Sequence, residues 1–424
     1  MTYNEAIKYI HSISWTGSRP GLERITQLCE LMGNPQDDLT IVHVAGTNGK
    51  GSFCAMLESI LRTAGYSTGM FTSPFVEHFN ERFCYNGDMI SERELAEIVQ
   101  YVRPFAEQMD DFPTEFEFIT AVGFEYFRRK KCDIVVLEAG MGGRLDSTNV
   151  VKNPLFTMIT GIAFDHMEYL GDTIEKIAAE KAGIIKQGRP LLFGGRPEAA
   201  KSVIQAKAEE KNSPFYLTDT TKLQNIDYSL DGTTFDFGDL RALKIPLLSF
   251  YQPYNAANVL TAVEILREDG LTISEEHIRE GLANVKWKGR FEKICSSPPI
   301  YFDGGHNVEG VQKTVESIAH YFPDGVNLIF GVMRDKKYEE MVALCAPIAH
   351  KAFCVTVNNP RAMSGVNLAI EFGNHSVPAA GLPNIYQTLD QAMTAHKQNG
   401  RPIFALGSLY MYSELKNALA DEMK

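Results

Sequence analysis

One short stretch limits the possible folds of this chain more than any other. Gly46, Thr47, Asn48, Gly49, Lys50, Gly51 and Ser52 follow an apolar run at residues 40–46 and precede residues 52–64. The second segment carries Phe53, Met56, Leu57, Ile60 and Leu61 at helical spacing. A buried strand, a glycine-rich turn and a helix in that order form half of a βαβ unit. Glycines let the backbone curl so that several N–H groups converge, and the helix N-terminus adds partial positive charge. Lys50 can then neutralise phosphate oxygens as a point charge. The strict GxxxxGK[ST] pattern is not met, because Gly51 separates Lys50 from Ser52 and Val44 stands at the first glycine position.

The rest of the chain extends this pattern. Residues 133–139 and 155–163 read as buried strands, and residues 173–186 as a helix with Thr173 as N-cap. Alternating apolar runs and helices predict a mostly parallel sheet covered on both faces. Short alternating segments at residues 216–218, 228–230 and 233–237, with Asp231-Gly232 between the last two, predict a small antiparallel patch on the first domain. A helix is expected over 255–268. Polar residues 286–290 and the Ser296-Ser-Pro-Pro299 segment place a domain boundary at 295/296. Beyond it, strands at 300–303, 326–331, 352–357 and 403–406, with helices from Val308, Tyr338, Leu389 and Leu409, predict a second open α/β domain. The expected class is α/β: a P-loop-type domain over 1–295 and a smaller Rossmann-like domain over 296–424.

Composition narrows the function. A net charge of -12 argues against a general nucleic-acid binder. No run of 18 uncharged apolar residues predicts a membrane span, and the first residues lack the pattern of a signal peptide. Seven dispersed cysteines, none in a CxxC pair, fit a reducing cytoplasm and give no zinc pattern. A monomer is expected.

Several motifs together resemble the Mur ligase superfamily, in the form of the folylpolyglutamate synthase and dihydrofolate synthase family. The phosphate loop is one. The others are Gly21-Leu-Glu-Arg-Ile25, Thr72-Ser-Pro74 with Glu81-Arg82, Glu138-Ala-Gly-Met-Gly-Gly-Arg-Leu-Asp-Ser-Thr-Asn149, Asp165-His166, Glu180-Lys-Ala-Gly-Ile-Ile-Lys186, Asp303-Gly-Gly-His-Asn307 and Gly407-Ser-Leu-Tyr410. The resemblance covers nearly the whole chain. It implies an ATP-dependent ligase that adds L-glutamate to a folate, and it leaves open whether dihydropteroate is also a substrate.

The resemblance also assigns roles. It implies Ser73, Glu138 and His166 as ligands of one Mg²⁺, and Lys181, carbamylated by CO₂, as a ligand of a second. It implies Asn255, Arg290 and Asp303 as nucleotide contacts, and Ser73, Arg82, His306 and Ser408 as contacts to folate or glutamate. The residues alone allow plainer readings. Glu138 and His166 end consecutive predicted strands beside the phosphate loop, but a histidine is an unusual magnesium ligand. Lys181 reads as a lysine whose head reaches solvent past an apolar stretch. Asn255 reads equally well as a helix cap. Arg290 and Asp303 read as a surface ion pair, and His306 and Ser408 as loop hydrogen-bonding groups. Phe75, Gly305 and Tyr251 depart from the usual histidine, alanine and histidine. Phe75 puts pterin selectivity in doubt more than catalysis.

Three rivals use such a loop. A peptidoglycan-precursor ligase of the same superfamily would need a further N-terminal domain, and only 45 residues precede Gly46. Cyanophycin synthetase would need extra modules. A P-loop switch ATPase would leave the Glu138, His166 and Lys181 motifs unexplained.

Overall fold

The computed structural model describes residues 1–13 and 20–422. They form two compact units: Met1–Gln224, Asp236–Leu243 and Tyr254–Val285 in one, and Asn225–Phe235, Lys244–Pro253 and Lys286–Lys424 in the other.

The first unit holds β1 (Ile41–Ala45), β2 (Thr68–Phe71), β3 (Phe83–Tyr85), β4 (Asp88–Met89), β5 (Ile134–Glu138), β6 (Phe156–Ile159), β7 (Leu191–Phe193) and β8 (Phe215–Leu217). They form one sheet in the order β4-β3-β2-β5-β1-β6-β7-β8. From β2 to β8 neighbouring strands run parallel, and β3 and β4 add an antiparallel edge. All five residues of β1 and of β5 are buried, as expected for strands covered on both faces. The helix Lys50–Thr63 is buried from Ser52 to Leu61. A Cβ on Gly281 would come within 2.6 Å of the Ile60 Cα, so the helix Glu275–Ala283 packs backbone to backbone against it.

β9 (Leu223–Ser229), β10 (Gly232–Phe237) and β11 (Leu240–Ile245) form the small expected patch, a three-stranded sheet in the order β11-β10-β9. Two-residue connections impose antiparallel pairing. Its attachment differs from the expectation, since residues 225–235 and 244–245 group with the second unit. Residues 215–217 are not part of it: as β8 they pair parallel with β7.

The second unit holds β12 (Glu292–Ser296), β13 (Pro299–Asp303), β14 (Val326–Phe330), β15 (Ala349–Val355), β16 (Ala379–Leu382) and β17 (Ile403–Leu406), in the order β12-β13-β17-β14-β15-β16. All pairs are parallel except β12 with β13. Residues 296–299, where the sequence places the boundary, form the tip of this antiparallel hairpin. The division by contacts falls at 285/286. Among the described residues no helix is long and apolar enough to cross a membrane.

Candidate active site

Parallel strands deliver their C-terminal loops to one edge of a sheet, where open α/β folds handle ligands. In the first unit, β2, β5, β1 and β6 are consecutive neighbours. The register sets Val44 beside Glu138 and Ala45 beside Ile159. The loops that begin at Gly46, Thr72, Ala139 and Thr160 therefore share that edge.

The phosphate loop is held from the β6 side. Thr47 N donates to Gly161 O at 2.7 Å, Ala163 N donates to Thr47 Oγ1 at 3.1 Å, and Thr160 Oγ1 donates to Asn48 O at 2.7 Å. These bonds replace the sheet ladder after Ile159. They explain why β6 is shorter than the expected strand over 155–163. Gly49 adopts φ 87° at the N-cap of the helix Lys50–Thr63, where a Cβ would come within 2.6 Å of Asn255 Oδ1. Glycine is thus required twice over at that position, for its left-handed backbone and for the side chain beside it. Asn255 lies inside the helix Gln252–Glu268, past its first residue, so the helix-cap reading of Asn255 does not hold.

Lys50, Glu138 and Ser73 are brought together. Lys50 Nζ lies 3.7 Å from Glu138 Oε1, and Glu138 Oε2 accepts from Ser73 N at 3.3 Å. Lys181 joins them from the helix Ile174–Ala182, which Thr173 caps as expected by accepting from Lys176 N. Its head does not reach solvent: Lys181 is 3% exposed, and Nζ donates to Gly46 O at 2.8 Å. Burial, and then repulsion from Lys50, lower the ammonium's pKa to about 7, against the opposing pull of Asp165 and Asp146. A neutral amine is therefore well populated near neutral pH.

His166 is placed differently from the strand-end expectation. It adopts φ 49° ahead of the short helix Met167–Leu170, with its side chain 40% exposed and Nε2 4.0 Å from Asp165 Oδ1. Among the described residues no three His, Cys, Asp or Glu side chains gather as a metal cluster. Magnesium prefers oxygen ligands. The Glu138 carboxylate and Ser73 hydroxyl fit that preference and are neighbours, whereas the Lys181 amine fits only after CO₂ converts it to a carbamate.

The loop after β2 is packed inward. Glu81 Oε2 accepts from Val76 N at 2.9 Å and Glu77 N at 3.0 Å. The Arg82 guanidinium lies over the rings of Phe75 at 5.2 Å and Phe79 at 5.6 Å. Phe75 thus packs against the core and Arg82, where a histidine would offer polar atoms.

The reading missed the residues that brace the loop after Glu138. Asp146 Oδ1 accepts from Thr148 N and Oγ1, and Oδ2 accepts from Met141 N at 2.8 Å. Thr148 Oγ1 in turn lies 2.8 Å from His43 Nε2. The Asp-Ser-Thr spacing, an aspartate capping a short turn, was the available signal.

In the second unit, β13, β17 and β14 are neighbours and present the loops carrying Asp303, His306 and Ser408. Asp303 is 1% exposed. Its Oδ1 accepts from Gly305 N at 2.8 Å and Thr314 Oγ1 at 2.9 Å, and its Oδ2 from Phe291 N at 2.8 Å and Tyr251 OH at 3.1 Å. It is therefore a buried anchor, which overturns the surface ion-pair reading. Arg290 Nη1 donates to Gly289 O at 3.3 Å. His306 Nδ1 lies 2.9 Å from Gly304 O, and Ser408 Oγ accepts from Tyr410 N at 3.3 Å.

Known proteins resemble the chain over nearly its whole length. The Mur ligase middle domain family matches residues 44–266, and the Mur ligase, glutamate ligase domain family matches residues 289–409. The dihydrofolate synthase/folylpolyglutamate synthase of Bacillus subtilis is 38% identical, over 98% of this chain and 99% of its own. The folylpolyglutamate synthase of Lacticaseibacillus casei is 34% identical over 99% of both chains. The solved structure of the Mycobacterium tuberculosis folylpolyglutamate synthase with ADP and AMPPCP superposes with a TM-score of 0.89 at 27% identity, covering 99% of this chain and 98% of that one. The chain belongs to the folylpolyglutamate synthase and dihydrofolate synthase family of the Mur ligase superfamily.

Proposed function

We infer that this chain is an ATP-dependent ligase that joins L-glutamate to a folate carboxylate, releasing ADP and phosphate. The observation that carries this reading is the interlock at the phosphate loop. Lys50 lies beside Glu138, and Lys181 holds the Gly46 carbonyl, at the ends of adjacent parallel strands. The relatives described above, matched over their full length, are ligases of this class.

A carboxylate is a poor electrophile and must be activated. The γ-phosphoryl of ATP passes to the folate's terminal carboxylate, giving an acyl phosphate. The amine of glutamate attacks that carbon, and phosphate leaves. Phosphoryl transfer depends on alignment and charge neutralisation more than on covalent help. Lys50 and the N–H groups at the start of the helix Lys50–Thr63 supply both to the phosphates. Glu138, Ser73 and His166 would hold one magnesium ion, and carbamylated Lys181 a second. Bound there, magnesium supplies positive charge against the phosphate oxygens. Asn255 and Arg290 are assigned to the nucleotide, Arg82 to the folate, and His306 and Ser408 to the incoming glutamate. Residues 1–295 would bind ATP and folate, and residues 296–424 the glutamate. Seven free cysteines support a reducing, cytoplasmic setting, and a monomer is proposed.

The test is ATP turnover by the purified protein with tetrahydrofolate, with and without L-glutamate. ADP release that requires both supports ligation, while turnover indifferent to both would indicate a switch ATPase. Dihydropteroate in place of folate in the same assay decides whether the chain also makes dihydrofolate, the second activity named for the Bacillus subtilis relative.

A further inference from the structure

The segment Gly21-Leu-Glu-Arg-Ile25 has no part in the chemistry described above, yet its arginine is buried. Arg24 lies in the helix Glu23–Leu31 and is 7% exposed. Its Nε donates to Glu117 Oε2 at 3.0 Å, and its Nη1 lies 3.5 Å from Asp111 Oδ2. Glu117 is 2% exposed and belongs to the helix Glu115–Lys130. The same Oε2 accepts from Thr114 N at 2.7 Å, and Thr114 Oγ1 accepts from Glu117 N at 3.3 Å. Arg24 therefore grips the capping box that starts this helix. A buried ion pair contributes little net stability, because desolvation offsets its attraction. Its plainer effect is to fix the place of the helix end it holds.

That helix end carries Phe116, and Phe116 reaches the active-site edge of the eight-stranded sheet. A Cβ on Gly140 would come within 2.5 Å of Cζ, the tip of the Phe116 ring. Gly140 is the second residue after Glu138, so the ring presses on the backbone of the turn that leaves β5. Any side chain at that position would displace the ring or the turn. The same turn is held by Asp146, which accepts from Met141 N at 2.8 Å. The Phe116 ring also packs on Phe71, with centroids 6.1 Å apart. Phe71 ends β2 beside Leu137 of β5, and Ser73 follows it by two residues. One ring thus sits at the exits of the two strands that lead to Ser73 and Glu138.

We propose that Arg24, Glu117 and Phe116 are positioning residues. The buried ion pair fixes the start of the helix Glu115–Lys130, and Phe116 passes that position to the turn after Glu138. Functional groups must sit within about 0.5 Å of their productive geometry, and the residues behind them set that precision. The proposal rests on the reading of Glu138 as a magnesium ligand and extends it to residues outside the ligand set.

The test compares wild type, Arg24→Lys, Phe116→Leu, their double variant and Glu138→Gln. Two quantities are measured: amide hydrogen exchange of the ligand-free protein, and the Mg²⁺ concentration for half-maximal ligation. Arg24→Lys keeps the charge but loses the fork of donors, and Phe116→Leu leaves the ion pair whole. In both, the amides of residues 139–143 should exchange about 10-fold faster, an effect the size of one lost hydrogen bond to a charged group. Exchange in β7 should stay as in wild type. The Mg²⁺ requirement should rise about 10-fold in each, as when a group supporting a metal ligand is removed. The double variant should show no more than the larger single effect, because both residues act through one contact. Unchanged exchange at the turn overturns the proposal, and so does faster exchange spread equally over the turn and β7. Multiplied effects in the double variant overturn it as well. So does a wild-type Mg²⁺ requirement in both single variants while Glu138→Gln raises it. If Glu138→Gln also leaves that requirement unchanged, the magnesium reading of Glu138 falls instead, and exchange at the turn alone decides the positioning.

Discussion

The loops at the strand ends of the two sheets are built on opposite principles. At the edge of the eight-stranded sheet, two lysines stand close to each other at the phosphate loop. Lys50 stands off Glu138 at 3.7 Å, and buried Lys181 donates a hydrogen bond to a neutral carbonyl. At the edge of the six-stranded sheet, polar groups answer one another. Asp303 takes four donors, Asn307 caps the helix Val308–Tyr321 by accepting from Gly310 N, and Ser408 takes the Tyr410 N–H. Fixed charge held in a dry site stabilises charge that arrives during a reaction. Saturated turns hold shape. The first edge is therefore where chemistry would occur, and the second is where geometry is kept.

Lys50 should give the largest effect. Lys50→Ala should lower ligation by about 10³–10⁵ at saturating substrates, the range seen when a cation on a transferring phosphoryl group is lost. Circular dichroism should be unchanged, because the Lys50 side chain packs at the loop and not in the core. Near-normal turnover would erase the contrast between the two edges.

Lys181 should follow. A cation buried beside Lys50 is costly, and conversion to a carbamate reverses its charge. Lys181→Ala should lose about 10²–10³ in rate, as for removal of one well-placed electrostatic group. Acetate or formate should restore part of it by filling the vacated anion site, whereas Lys181→Arg should not respond. Labelling with ¹³CO₂ should give a carbamate signal in ¹³C NMR of the wild type only. A rescued Lys181→Arg, or no carbamate signal in active enzyme, would leave Lys181 a structural lysine.

The same contrast explains what the sequence revealed. Phosphate-loop elements were legible because periodicity and glycine chemistry act locally: the strand before Gly46 and the helix after it lie where expected. The burial of Lys181 was not legible. Its neighbours in sequence allow a solvent-seeking head, and only packing near the end of β1 decides against it. The misplaced boundary has a similar cause. Ser296-Ser-Pro-Pro299 looks like a linker, but β12 pairs across it with β13, and pairing partners are not a local property. The four donors on Asp303 come from segments as far apart as Tyr251 and Thr314, which no spacing rule connects.

Asp303 tests the second edge directly. Asp303→Asn replaces an acceptor with a donor opposite Phe291 N or Tyr251 OH. Leaving such a buried group unsatisfied costs about 1–3 kcal/mol, which thermal unfolding should register as a lowered midpoint. The KM for glutamate should change more than the KM for ATP, because the Gly304–Gly305 turn that carries His306 hangs from this carboxylate. Unchanged stability with a large rise in the KM for ATP would make Asp303 a nucleotide ligand and dissolve the distinction drawn here.

The smallest effect sharpens the comparison from beneath the first edge. His43 is fully buried in β1, and Thr148 Oγ1, which donates to Asp146, accepts from its Nε2. Nε2 therefore carries the proton, and Nδ1 is buried without a partner. Burial, reinforced by Lys186, lowers its pKa from 6.5 to about 3. The sign follows from the two states. Above about pH 6.5 the imidazole is neutral both folded and unfolded, and its protonation favours neither. As pH falls from there toward 3, the unfolded chain binds a proton that the folded chain refuses, so stability declines by up to about 1.4 kcal/mol per pH unit. Denaturant unfolding between pH 7 and pH 5 should show this decline in the wild type. His43→Leu should flatten its share of it, while at pH 7 it leaves the Thr148–Asp146 bond and hence the loop after Glu138 in place. Equal slopes in the two proteins would mean that the imidazole finds a partner or solvent on protonation, and that the support under the phosphate-loop edge is as compliant as an ordinary surface turn.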